Sequence, residues 1–192
     1  MPKKKEDRRV KFTKMFLKES LIDLLEEKSI FKITIKEICE NADINRATFY
    51  AHYSDQYHLL ESIEEEYIEK ILNTIDQDAI HADSTLNLVT DIVTFIYDNK
   101  KMSRILLSDR GDLQFQKRIM ELVHDNILSK MKDVEPNSLE KTALISSFVI
   151  SGCVGVIQNW FDSNLKSSPE EVSKIISDLA SVTLNMIHLN KN

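Results

Sequence analysis

Only three prolines (Pro2, Pro136, Pro169) and three glycines (Gly111, Gly152, Gly155) interrupt 192 residues. So few breakers leave long stretches of backbone little choice but helix. No Asn-Gly or Asp-Gly hairpin signal occurs, and no alternating polar and apolar run is long enough to specify a sheet. The sequence predicts an all-α fold, and its length suffices to bury a core without staples. Cys39 and Cys153 lie far apart and belong to no metal-ligand spacing, so they read as reduced thiols packed like small apolar residues. Neither a metal nor a cofactor is implied.

Apolar spacing divides the chain into helices. A first runs from about Asp7 to Lys28, with Phe16, Leu17, Leu21, Leu24 and Leu25 on its inner side. "SIFKI" breaks it. Thr34 then caps a short helix, with Glu37 three residues later as the second half of a capping box. Asp43 and Ile44 make a turn without glycine, Asn45 caps another short helix, and Asp55 caps a long one. The helical pattern resumes near residue 84, is followed by the short segment "SRILLSD" and by "LQFQKRIMELVHDNILSKM" up to the break at Pro136, and a further helix lies in the uncharged stretch 142–161. The last starts at "SSPEEV", where Ser168, Pro169 and Glu171 spell a helix start. Residues 1–54 form an arm and a three-helix head, and residues 55–192 form a helical body reached through the long helix from about 55.

The stretch 142–161 has the length of a membrane span, but Thr142, Ser146, Ser147, Ser151, Gln158 and Asn159 dilute it and no basic flank orients it. A buried helix is the expectation, with no membrane partner. The charged opening "MPKKKEDRRVKF" is followed by no apolar signal core, which points to the cytoplasm. Net charge is −6, yet residues 1–60 carry 12 Lys/Arg against 10 Asp/Glu, and residues 61–192 carry 13 against 21. An end so much more basic than the body suits a nucleic-acid-facing head.

Residues 34–53, "TIKEICENADINRATFYAHY", have the form of a helix-turn-helix: two short helices, small contacts at Cys39 and Ala42, a core of Ile38, Ile44 and Phe49, and polar residues on the first turn of the second helix. Thr34, Ile38, Cys39, Ala42, Asp43, Ile44, Asn45, Thr48, Phe49, Tyr50, His52 and Tyr53 follow the order T-x-x-x-I-A-x-x-A-G-V-S-x-x-x-[IVLF]-Y-x-[HY]-F. The stretch resembles the DNA-binding motif of TetR-family transcriptional regulators. Asp43 stands where that family usually has glycine, Cys39 where it has alanine, and Gln56 where it has a phosphate-facing lysine.

The resemblance and the side-chain chemistry together assign roles. Arg46 suits a base reader, since guanidinium donates twice to guanine, and Asn45 and Thr48 reach base edges or phosphate. Thr34, Lys36, Tyr50 and His52 are expected on phosphates, with Lys3, Lys4, Lys5, Arg8, Arg9 and Lys11 as a backbone-following arm. Phe49 and Tyr53 belong to the core. The resemblance also implies a homodimer formed by the last two long helices, through Ser147, Ser151, Gly155, Val172, Ile176, Leu179, Thr183 and Met186, reading a palindromic double-stranded operator. A small-molecule effector among the body helices would meet residues such as Phe95, Tyr97, Met102, Phe115, Met120, His124, Phe148, Cys153 and Trp160.

The combined expectation is a homodimeric repressor released by an effector. The alternative is a TetR-like co-activator acting through a partner protein. An enzyme is disfavoured, because no HExxH, GxSxG or phosphate-cradling glycine loop is present.

Overall fold

The computed structural model describes residues 8–77, 84–107, 113–130 and 139–188. Among them the chain forms α1 (Arg8–Glu27), a 3-10 turn (Ile30–Lys32), α2 (Ile35–Asn41), α3 (Arg46–Tyr50), α4 (Gln56–Gln77), α5 (Ser84–Asp98), α6 (Lys100–Leu107), α7 (Leu113–Lys130), α8 (Leu139–Asp162) and α9 (Pro169–His188), with no strand among the described residues. Two compact units divide the chain, residues 1–67 and 68–192. The helix α4 begins in the first and ends in the second.

In the first unit Leu17, Leu21, Ile33, Ile38, Phe49, Tyr53, Leu59 and Ile63 are buried. Close approach of α1 to α2 is made possible by Ser20, a small and 3% exposed residue whose hydroxyl donates to the Ile38 carbonyl at 2.9 Å. An ion pair from Lys18 on α1 to Glu66 on α4 adds to this unit. Phe16 faces outward, contrary to the sequence reading, and stacks on Phe12 at 6.4 Å. The true inner stripe of α1 is Leu17, Ser20 and Leu21.

The second unit packs α8 against α6, α7 and α9, and α5 against α6 and α9. Val93, Ile96, Leu106, Phe115, Ile150, Ile157, Trp160, Phe161, Val172 and Ile176 form its core. Polar ends are satisfied locally: the Gln158 amide donates to the Leu107 carbonyl, and the Trp160 indole N–H to the Ser167 carbonyl, both at 2.9 Å. The capping box at α9 is present, with the Ser168 N–H on the Glu171 carboxylate at 3.0 Å and the Glu171 N–H on the Ser168 hydroxyl at 3.3 Å.

The uncharged helix is not buried all round. Its stretch Ala143–Asp162 is long and apolar enough to cross a membrane, with a mean hydropathy of 1.5, yet only 28% of it is buried. Ser146, Ile150, Ile157, Trp160 and Phe161 turn inward, whereas Leu144, Ser147, Phe148, Ser151, Gly152 and Gly155 lie on one exposed face. Hydropathy along the chain reports what a helix is made of, and neighbours decide which side they cover.

Candidate nucleic-acid interface

The start of α2 is held by a capping box. The Thr34 hydroxyl oxygen accepts from the Glu37 N–H at 3.3 Å, while Glu37 Oε2 accepts from the Thr34 N–H at 2.9 Å and from its hydroxyl at 2.8 Å. Glu37 Oε1 takes the Lys28 ammonium at 2.5 Å, tying the end of α1 to the start of α2. Lys28 first, and then the Thr34 donors, hold the Glu37 carboxyl down at about 2. Thr34 and Lys36 stay exposed, and Lys36 Nζ lies 3.6 Å from Glu40.

The turn after α2 needs one left-handed residue, and Asp43 supplies it with φ of 53°. Aspartate is among the few side chains that tolerate this region, which is how the motif closes without glycine. Ile44 then donates its N–H to the Cys39 carbonyl at 2.9 Å. Burial pushes the Cys39 thiol up, in keeping with a packing role.

Asn45 caps α3, its Oδ1 accepting from the Thr48 N–H at 2.8 Å and from the Thr48 hydroxyl at 2.9 Å. Five residues of helix follow, and Phe49, at 0% exposure, anchors them. Arg46, Ala47 and Tyr50 are consequently turned outward. Tyr50 is 57% exposed and meets the Phe49 ring edge-on at 5.7 Å, so one side of its ring is braced while more than half of the residue meets solvent. His52 is half-buried, 6.4 Å from the Tyr53 ring, and Tyr53 is core as the sequence implies.

Beyond the motif, Asp55 Oδ1 accepts the His58 N–H at 2.8 Å and starts α4, with Gln56 at its first position. That bond leads the causes that hold the Asp55 carboxyl below the usual range.

Between α2 and α3 a hollow of about 500 Å³ is lined by Lys36, Cys39, Glu40, Asp43, Ile44, Asn45 and Arg46. Two cations face two carboxylates there, so the face is not uniformly attractive to phosphate. Of the arm, Arg8, Arg9 and Lys11 are exposed on the first turns of α1, with the Arg8 guanidinium 5.7 Å from the Phe12 ring centre. Lys3, Lys4 and Lys5 lie outside the described residues. Sequence reasoning passed over Ala47, exposed beside Arg46, and the exposed pair Phe31 (82%) and Tyr57 (45%), whose rings stand 6.1 Å apart. Position on a short helix could have found Ala47. Nothing in the sequence pattern marks the pair.

Body residues named from the sequence fall into different places. Tyr97 stacks on Trp160 at 5.8 Å, and Phe115 is 1% exposed core. Met102, Met120, Cys153 and His124 are half-buried, His124 at 3.6 Å from Asp125, and burial pushes the Cys153 thiol up. Phe95 lines an open hollow of about 390 Å³ with Asn73, Thr74, Asp91, Thr94, Asp98 and Asn99. Phe148 is 69% exposed on the outer face of α8. Along α9, Val172 (3%) and Ile176 (5%) are spent on the chain's own core, which corrects their assignment to a dimer seam. Leu179 (59%) is exposed with Ile175 and Val182, Thr183 is half-buried, and the Met186 side chain lies outside the described residues.

Comparison with known proteins agrees with this architecture. The model of a TetR-type "transcriptional regulator C-terminal region" matches residues 83–181, the part of the chain that carries no helix-turn-helix. The HTH-type transcriptional regulator YxbF of Bacillus subtilis (strain 168) is 22% identical over 170 residues, which are 86% of this chain and 44% of YxbF, so the chain spans less than half of that relative. Among solved structures, a TetR-family transcriptional regulator from Syntrophomonas wolfei str. Goettingen superposes with a TM-score of 0.70 at 16% identity, over 91% of this chain and 96% of the other. The transcriptional regulator FadR from Bacillus subtilis, solved with stearoyl-CoA, gives 0.65 at 13% identity over 86% and 96%. With more than half its length matched by that family model and a helix-turn-helix at residues 34–53, the chain belongs to the TetR family of DNA-binding transcriptional regulators, which are not enzymes.

Proposed function

We propose that the protein is a cytoplasmic homodimeric repressor that binds a palindromic operator with residues 1–54 and is released when residues 55–192 bind a small-molecule effector. The observation that carries the DNA-binding part is the outward set Arg46, Ala47 and Tyr50 on a helix of five residues anchored by a fully buried Phe49. Arg46 reads a base, while Thr34, Lys36, Tyr50 and His52 hold phosphates and Arg8, Arg9 and Lys11 follow the backbone.

Support for a dimer is the exposed apolar face. Leu144 and Phe148 share one side of α8 with Ser147, Ser151 and Gly155, and α9 adds Ile175, Leu179 and Val182. A methyl group added at Gly152 or Gly155 would meet nothing within 4 Å in the isolated chain, leaving room for a neighbouring helix. Two heads so joined read half-sites one helical turn apart, about 34–36 Å. The FadR relative holds an acyl-CoA, which supports a ligand-responsive body here without naming its ligand.

A second reading, a co-activator that docks on a partner protein, is favoured by Gln56 in place of the family's lysine and by the exposed Phe31–Tyr57 pair. Selection of random duplex DNA by the purified protein at physiological salt separates the two, with Tyr50→Ala as control. An enriched palindrome, bound at least ten-fold more weakly by Tyr50→Ala on every sequence, is the expected result. A folded dimer that enriches nothing would favour the partner-protein reading.

A further inference from the structure

What the short helix reads is narrowed by hydrogen-bond accounting on α3. Asn45 Oδ1 accepts twice from the same residue, from the Thr48 N–H and the Thr48 hydroxyl. An asparagine that recognises adenine needs its oxygen and its amide nitrogen together. Here the oxygen is spent, so Asn45 is a cap with amide N–H groups alone to offer. The same bond fixes the polarity of Thr48. A hydroxyl donates one proton and accepts through two lone pairs, and the proton is committed inside the protein. Thr48, half-buried, therefore has only lone pairs left to offer a base. Arg46 offers only donors, and the exposed Ala47 between them offers only a methyl group.

We infer that residues 46, 47 and 48 form a reading set of donor, methyl and acceptor. Arg46 takes the O6 and N7 acceptors of guanine, Ala47 packs on the 5-methyl of a thymine, and Thr48 accepts from the exocyclic amino group of adenine or cytosine. Guanine O6 or thymine O4 opposite Thr48 is rejected, because lone pair would face lone pair. This inference rests on the operator binding proposed above and adds the base chemistry to it.

The test uses the full chain and the duplex it enriches, with single-base analogues in each half-site. Uracil for thymine removes the methyl group, and an analogue without the exocyclic amino group removes the donor; which base is enriched tells adenine from cytosine. One uracil replacement should weaken the wild type about four-fold, the worth of one buried methyl, and leave Ala47→Gly unmoved. One amino-less replacement should weaken the wild type about five-fold, the worth of one hydrogen bond, and leave Thr48→Val unmoved while Thr48→Ser keeps the preference. Ala47→Ser, a safer helix residue, guards against a glycine variant that fails to fold. Analogue effects equal in wild type and variants would overturn the reading set and leave operator binding standing. If no duplex is enriched, operator binding fails and the reading set fails with it.

Discussion

Asn45 shows how much a single side chain settles. It satisfies the free N–H of Thr48 in the first turn of α3 and binds the Thr48 hydroxyl as well, so Asn45→Ala should lower stability by about 1 kcal/mol, read from thermal unfolding. Glu37 makes a different kind of statement. Its carboxyl is held at about 2 against an ordinary 4.5, so the fold favours the ionised form. That contribution is complete above the ordinary value and fades as pH falls toward 2. The melting temperature of the wild type should drop more steeply between about pH 5 and pH 2 than that of Glu37→Gln, and parallel curves would deny Glu37 this part. Caps such as Thr34, Asn45, Asp55 and Ser168 were legible in the sequence because each acts within three residues of itself. The tolerance of Asp43 for the turn was legible for the same reason. The bond from Lys28 to Glu37 was not, since it depends on how the end of α1 returns past the start of α2.

At the scale of elements, α8 and α9 each carry two apolar faces, one buried in the chain's own core and one exposed. The inner face of α8 holds Ile150, Ile157 and Trp160, while Leu144 and Phe148 stand outside. A wide stripe on α9 likewise divides into buried Val172 and Ile176 and exposed Ile175, Leu179 and Val182. Periodicity revealed that the stripes exist but could not divide them, because the division is made by which neighbours arrive. Phe12 and Phe16 on α1 teach the same lesson, an apolar pair at helical spacing that faces water. Phe148→Glu should convert the proposed dimer into a helical monomer in sedimentation, with far-ultraviolet dichroism kept. A variant that remains dimeric would move the seam off this face.

For the molecule as a whole, the head is the basic end of an acidic chain, and its proposed DNA face holds carboxylates among its cations. Glu40 and Asp43 share a hollow with Lys36 and Arg46, and Gln56 carries no charge where the family has one. Gln56→Lys should therefore tighten DNA binding and steepen the slope of log affinity against log salt by about 2 per dimer, one phosphate contact from each head. An unchanged slope would place residue 56 away from the backbone. The cap on α3 bears on how such a protein changes over generations. In the proposed homodimer one gene supplies both heads, so a substitution at Asn45 that frees the Thr48 hydroxyl alters two symmetric base preferences at once. An operator could follow only by acquiring two matching mutations, and until it did, each half-site would fit poorly. An oxygen atom that touches no DNA would in this way resist drift in the sequence that the pair of heads recognises.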